Sequence, residues 1–597
     1  MNYRSDIQIL RGVAVIFVVL FHLEIGGFQS GFLGVDVFFV ISGFLMAVLY
    51  KNDKASEFFS RRAKRLLPAY FVTIALTTLV TAIIATPVEF NSVKEQSIFA
   101  LFFTSNLGFW LENSYFSKAE FKPLLHLWSL GVEIQFYFLV PVLFLVFKKS
   151  RIACHSVFIF SLFACLATLY VSTKSSFFLT PFRIWEFLLG YYVVKYFSDS
   201  GNVKVPIKYQ WIGFSALIVL MLIPLMKVDG SSNGIMFGHP GVFALIITSL
   251  TAVVLICGLP SRIQQSIFGR VFELLGKYSY SIYLAHFPVI VLFLYEPLSG
   301  TILKTESFSQ LIYLIVMIFA SAILMYRLVE SSILLRTKKS IAAVLPGGVI
   351  ISLIVSGLIQ SLKFDDEERN IYDSWTDRSE YRCGLLNRLR DPFAKVCRLN
   401  KEEQQNSVLL VGNSHADSIK TSFVEAASIN FKNVWFFTSN TPLMSESIGA
   451  ETVVNEALKI KAKEVFLHFS PNAFPKQTIV RVIRAAREHN IKVSFIMPVP
   501  IWDISIPKSL MLNRRQNTEL PKQSLDDYRE QNKDLIKFLM TLKYDNFRVL
   551  EVAPIFCAPN CAIQDQNGKP LYFDDSHLTL TGSDLLTKSM TKWLSQV

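Results

Sequence analysis

Near its start the chain reads "RGVAVIFVVLFH", in which ten apolar or small residues separate Arg11 from His22. On a helix these two groups stand about 16 Å apart. A neutral imidazole there can take a proton from an attacking hydroxyl or accept an acyl group itself. A guanidinium offers permanent charge for phosphate or carbonyl oxygens. The competing reading is that Arg11 snorkels to one membrane face and His22 sits in the opposite headgroups. Far downstream, "NSVLLVGNSHADSIKTSF" (406–423) has the pattern strand, tight turn, helix, with Ser414 opening the helix. A serine so placed stands above a sheet edge with backbone N–H groups nearby, although a plain helix cap fits the same residues. In "YFDDSHLTLTGSDLL" (572–586), Asp574 and His577 are three apart in a loop, a spacing that lets the carboxylate orient the imidazole toward a distant serine.

The Arg11/His22 pair has company. "GVDVFFVISGF" carries Asp36 and Ser42, and "FFSRRAKRLLPAY" carries Arg61, Arg62 and Arg65. "HLWSLGVEIQFYF" carries His126, Glu133 and Gln135, "TPFRIWEFLLG" carries Arg183 and Glu186, and "YSYSIYLAHFP" carries His286. Ionisable groups inside spans are costly and face a cavity or a partner. Arg183 and Glu186 share a helix face and can pair. So many polar groups in one bundle predict a lined interior.

The elements that must position these groups follow from composition. The chain has 597 residues, of which 52% are hydrophobic and 18% charged, and apolar runs of span length recur to about residue 360. Candidates lie near 7–24, 31–50, 66–87, 97–111, 128–147, 152–171, 181–198, 211–226, 241–258, 279–296, 311–330 and 341–361. The fourth is short and contains Thr104, Ser105, Asn106 and Gly108. If it does not cross, "RRAKR", "KKSR", Lys204 with Lys208, Arg262 with Arg270, and Arg336 with Lys338 and Lys339 all fall on one side. Lysine and arginine favour the cytoplasmic side. About eleven spans result, with a cytoplasmic amino terminus, no cleaved signal, and an exported carboxy-terminal domain.

The net charge of +13 resides in these juxtamembrane clusters, which argues for a lipid bilayer as partner and against nucleic acid. Beyond Leu362 a charged stretch leads into alternating strand and helix patterns. Cys383, Cys397, Cys557 and Cys561 lie in this soluble part, an even number in a compartment that permits disulfides. The close pairs 383–397 and 557–561 are candidates, though spacing leaves connectivity open. "CAPNC" has no nearby histidine pair, so no metal site is expected.

The ordered motifs of residues 1–335 resemble the acyltransferase-3 family of integral membrane acyltransferases. The resemblance implies acyl transfer from cytoplasmic acetyl-CoA, with no permanently bound cofactor. It implies His22 as base or acyl relay, Arg11 as donor-orienting group, and Arg61, Arg62 and Arg65 at the CoA phosphates unless they serve topology alone. Asp36, His126, Glu133, Arg183 and His286 are the remaining membrane-site candidates. Residues 400–597 resemble the SGNH hydrolase family, a three-layer α/β fold. That implies Ser414 as nucleophile, His577 as base, Asp574 as its orienter and Asn472 as a candidate oxyanion donor. Here "GNS" replaces the family's Gly-Asp-Ser, with Asn413 in place of Asp, which leaves the nucleophile intact but departs from the family's hydrogen bonds around the turn; His415 and His468 are expected to be structural. A helix at 341–361 and a linker to 399 join the halves. The fusion resembles bacterial inner-membrane proteins that O-acetylate surface glycans such as lipopolysaccharide O-antigen. Peptidoglycan or a lipid-linked sugar is the alternative acceptor, and a transporter carrying an esterase domain is the alternative class.

Overall fold

The apolar runs fold into one unit, Met1–Lys363, and the alternating pattern beyond them into a second, Phe364–Val597. The structure, a computed structural model, describes all residues except 1–3, 51–53, 113–120, 200–201, 204–206, 229–233, 298–299, 302–303, 385–386, 388–390, 392–393, 403, 405, 440–441, 445–447 and 597. Lys204, used above for topology, lies outside the described residues.

The first unit is helical: α1 (Ser5–His22), α2 (Gly34–Leu49), α3 (Ala55–Ile84), α4 (Pro87–Leu101), α5 (Ser105–Leu111), α6 (Leu127–Lys149) and α7 (Arg151–Val171). It continues with α8 (Ile184–Phe197), α9 (Gln210–Leu222), α10 (Val242–Cys257), α11 (Ile267–Phe293), α12 (Phe308–Leu324) and α13 (Leu345–Lys363). Among the described residues seven helices are long and apolar enough to cross a membrane, and two apolar helices, Gln210–Leu225 and Val242–Cys257, are shorter. Large side chains such as Ile159, Phe160 and Phe163 on α7 are exposed, as lipid-facing residues are.

Segment 97–111 is not a continuous helix. α4 starts with a Thr86/Glu89 capping box and stops at Leu101, Phe103 takes φ +60°, and α5 restarts for seven residues. Gln96, Ser97 and Asn106 are buried in protein, where they donate to the carbonyls of Phe121 at 2.9 Å, Val93 at 2.7 Å and Phe178 at 3.1 Å, partners that lipid cannot offer. α3 differs from expectation by starting at Ala55, so the basic run Arg61–Arg65 is helical and continuous with the span.

Close backbone approach fixes how α1 meets α11. A Cβ on Gly12 would lie 2.1 Å from the Phe272 carbonyl oxygen, and one on Gly276 would lie 1.9 Å from that of Gln8. Small residues at helix crossings permit this contact. From the crossing both helices run ten residues the same way, to His22 and His286, whose Nδ1 and Nε2 are 3.3 Å apart.

The second unit holds strands β1 (Val396–Arg398), β2 (Asn406–Gly412), β3 (Lys432–Phe437), β4 (Ala462–His468), β5 (Lys492–Ile496) and β6 (Phe547–Leu550). They form one sheet in the order β1-β3-β2-β4-β5-β6, with β1 antiparallel and the others parallel. Val408–Val411 are wholly buried, which accounts for the unbroken apolar run of β2. The chain goes from β2 to β3 through α15 (Ser414–Ile429), then back across β2 to β4 through the helix Ala450–Lys459. Right-handed crossovers place these helices on opposite faces and make the carboxyl end of β2 the topological switch point. Ser414 sits there.

The expected linker up to residue 399 is corrected. α13 belongs to the first unit, where Ser352 Oγ donates to the Ala75 carbonyl at 2.9 Å and Gln360 Nε2 to that of Ala82 at 2.8 Å. Residues from Phe364 on belong to the second unit: α14 (Asp366–Asp373) is held by Arg515 on Glu368 at 2.9 Å, and β1 joins the sheet. Charged composition read as linker because its hydrogen bonds are made to distant residues.

Candidate active sites

Gly412 ends β2 where a Cβ would meet the His468 carbonyl oxygen at 1.9 Å. Asn413 caps α15, its Oδ1 accepting the His415 N–H at 3.1 Å, so asparagine holds the turn. Ser414 is exposed, and its Oγ lies 2.7 Å from His577 Nε2. His577 Nδ1 lies 2.7 Å from Asp574 Oδ2, and Asp574 Oδ1 accepts the backbone N–H groups of Ser576 at 2.8 Å and His577 at 2.7 Å. With Nδ1–H donated to Asp574, Nε2 is left to accept the serine proton. Burial acts to raise the Asp574 carboxyl, but hydrogen bonding and charge from His577 and the two backbone N–H groups outweigh it and hold the group below its ordinary value. The Phe573 ring stacks on His577 at 5.4 Å and 11°, fixing the imidazole plane.

His415 packs on His577 with ring centroids 4.6 Å apart, while His468 Nδ1 donates to the Ile496 carbonyl at 3.1 Å. Burial lowers His415 well below the usual histidine range and His468 to about 4, so both are neutral. Sequence reasoning missed Arg382. It is buried, its Nη1 donates to the Gly412 carbonyl at 3.1 Å, and its backbone N–H reaches Asp417 Oδ1 at 3.1 Å. It therefore braces the turn that presents Ser414. Cys383, beside it, is bonded to Cys397 in β1, and Cys557 to Cys561. Asn472 is exposed in the loop after β4 and lines a groove described below. Among the described residues no cluster of histidine, cysteine and carboxylate could hold a metal ion.

In the helical unit a cavity of about 80 Å³ is lined by Arg11, Ser42, Arg62, Arg65, Glu133 and Tyr137, with Tyr283 on its wall. Glu133 accepts hydrogen bonds from Ser42 and Tyr137. A wider, basic cavity of about 510 Å³ is lined by Arg61, Lys64, Lys277 and Arg336, and shares Arg11 and Arg65 with the first. The histidines lie one helical turn past Tyr283. His286 Nδ1 donates to the Tyr283 carbonyl at 2.7 Å, Nε2 meets His22, and the His126 ring is 5.7 Å from that of His286. Tyr283 Oη donates to the His126 carbonyl at 2.9 Å, tying the histidines to the cavity wall.

Asp36 and Arg183 are not in this group. Arg183 Nη2 binds Asp36 Oδ1 at 3.1 Å, Nη1 binds Glu186 Oε1 at 3.2 Å, and His239 Nε2 approaches Asp36 at 3.4 Å. The guanidinium lies over Phe39 at 5.3 Å. All four are buried, and none lines either cavity; they join α2 to α8 as a closed cluster. The predicted Arg183–Glu186 pairing is present, but its place in the lined interior is not. Tyr137, Tyr283, Lys277 and Glu330 were missed, because a tyrosine or a lone charge in an apolar helix reads equally as an interfacial residue.

The Acyltransferase domain family profile (acyltransferase-3) matches residues 4–358, and that of the SGNH domain fused to AT3 domains matches residues 382–592. The chain belongs to the acyltransferase-3 family. Its relatives include the O-acetyltransferase OatA of Staphylococcus aureus strain NCTC 8325 / PS 47 and that of strain COL, each 32% identical over 312 residues, covering 49% of this chain and 51% of the relative. The chain thus spans about half the length of the curated relatives it matches. One solved structure, the periplasmic domain of a Salmonella ser. Paratyphi A lipopolysaccharide acetyltransferase, aligns over 39% of this chain and 98% of its own, with 13% identity and a TM-score of 0.28. With its apolar helices, this acyltransferase-3 chain is a multi-pass membrane protein.

Proposed function

We propose that the protein is an O-acetyltransferase that carries acetyl from cytoplasmic acetyl-CoA to a hydroxyl of a cell-surface glycan, lipopolysaccharide O-antigen foremost. The observation that carries this reading is the assembled Ser414–His577–Asp574 set, in one chain with a membrane unit whose basic cavity shares Arg11 and Arg65 with a small polar one. The naming of the relatives as O-acetyltransferases supports it. The basic cavity suits the phosphates of CoA, and the cavity of about 80 Å³ suits an acetyl thioester rather than a nucleotide. His22 stands beyond it as base or acyl carrier.

At the second unit, Ser414 Oγ attacks the delivered acetyl carbonyl while His577 Nε2 takes its proton. His577 then returns that proton to the departing group. A sugar hydroxyl next gives its proton to His577 and attacks acetyl-Ser414; the ester forms on the sugar, and the serine leaves with the proton. The exchange is of the ping-pong kind. When membranes containing the chain are given acetyl-CoA labelled in its acetyl group, label is expected in the polysaccharide; unlabelled polysaccharide beside intact donor would overturn the reading.

The same reading places the protein in the bacterial inner membrane, with the amino terminus in the cytoplasm and Phe364–Val597 in the periplasm. A carboxy-terminal reporter active only in the cytoplasm is therefore expected to be silent. A strong signal would invert every span after α3.

A further inference from the structure

We propose that a groove of the second unit, formed by the loop after β4 and residues 531–535, is the subsite that holds the acceptor sugar; this rests on the transferase reading and deepens it. The groove has a volume of about 620 Å³ and is lined by Asn472, Phe474, Lys476, Gln531, Asn532 and Asp534 among others.

Asn532 carries the argument. It is only 2% exposed, and its Nδ2 donates to the Tyr528 carbonyl at 2.9 Å. Its Oδ1 is buried, lies in a groove-lining residue, and has no hydrogen-bond partner among the described residues. A buried amide oxygen without a donor costs free energy that a ligand hydroxyl recovers. Around it stand groups of mixed kind. Gln531 offers an amide, Asp534 a carboxylate and Lys476 an ammonium. Phe474 packs on Phe538 at 6.1 Å, with the Lys476 ammonium 5.4 Å from the Phe474 centroid. One cation and one anion balance, which disfavours a phosphate. Polar lining disfavours an acyl chain. Amides, a carboxylate and an aromatic edge together fit a neutral carbohydrate, whose hydroxyls and C–H faces alternate.

The place fits too. β4 lies beside β2 with His468 opposite Gly412, so the chain leaves β4 at the edge where Ser414 stands. Asn472 is four residues farther on, within roughly 14 Å of His468 even if fully extended. Acceptors in open α/β sheets bind in the crevice at this edge.

The test compares two outputs of the full chain: acetate released by mild alkali from the surface polysaccharide of cells, and cleavage of 4-nitrophenyl acetate by the detergent-solubilised protein. Asn532→Leu and the surface double variant Phe474→Ala/Asp534→Ala are each expected to lower the ratio of the first to the second by about tenfold, as the loss of about one good hydrogen bond does. An unchanged ratio, including a parallel fall of both outputs, overturns the proposal. If Asn532→Leu fails to accumulate, the double variant decides alone. Ser414→Ala serves as the reference: if it leaves glycan acetate untouched, the transferase reading itself has failed and the subsite falls with it.

Discussion

Cells in which His22→Ala replaces the natural chain are expected to lose glycan acetylation by about 100-fold or more, with the protein still inserted at normal levels. The size follows from removing a positioned base or acyl carrier. The geometry places this histidine in a buried cluster with His286 and His126. His22 ends α1, is buried, and meets His286 at 3.3 Å one turn past the cavity that Arg11 and Glu133 line. Arg11→Ala is expected to act on the donor side, raising the acetyl-CoA concentration needed for half-maximal transfer. His155→Ala is the control. That ring is exposed on α7 between the hydroxyls of Tyr192 and Tyr196, at 3.0 and 3.1 Å, and serves no cavity. Near-normal acetylation by His22→Ala would return His22 to the role of a residue that merely ends its span.

The parts of this site that sequence could show are those with a distinctive chemical type at a fixed spacing. Arg11 with His22, and Asp574 with His577, are local pairs, and the structure keeps each on one element. Segment 97–111 stood out in the sequence as short and interrupted by Thr104, Ser105, Asn106 and Gly108, and the structure breaks its helix at Phe103. What was not legible depends on long-range register. Gly12 and Gly276 are unremarkable alone, yet their contact puts His22 beside His286, 264 positions away. Asp36 and Arg183 looked like cavity residues because a charge in a span announces cost without naming its distant partners; Arg183 binds Asp36 as well as its near neighbour Glu186. Arg382 is invisible for the same reason, since its acceptor is a backbone carbonyl, and any residue could supply one. In the second unit the strands were readable as apolar runs, but β1 and α14 lay inside a charged stretch whose bonds reach residues such as Arg515.

Ser414→Ala separates transfer from hydrolysis by the sign of its effect. A serine 2.7 Å from His577 Nε2 can pass an acetyl group to water or to a sugar, and the structure of the triad is the same for both. What differs is which hydroxyl is held at the acyl-enzyme when His577 is free to take a proton. If the second unit receives acetyl from the membrane unit, Ser414 is its acceptor, and Ser414→Ala stops delivery: glycan-bound acetate is expected to fall by about 100-fold or more. The full chain in detergent should meanwhile cleave 4-nitrophenyl acetate slowly, because water enters where the sugar is absent, and Ser414→Ala should end that cleavage as well. An esterase that trims finished acetyl esters predicts the same loss of cleavage but the opposite change on the glycan, which would gain acetate. Asp574→Asn adds a second reading of the same site. It keeps the shape of the loop but no longer fixes the proton on Nδ1, so His577 presents the wrong nitrogen to Ser414. Both outputs should then fall together, while the folded unit, tied by its disulfides and by Arg382 under the Ser414 turn, should remain intact. A rise in glycan acetate with Ser414→Ala would sink the transferase and leave the esterase standing.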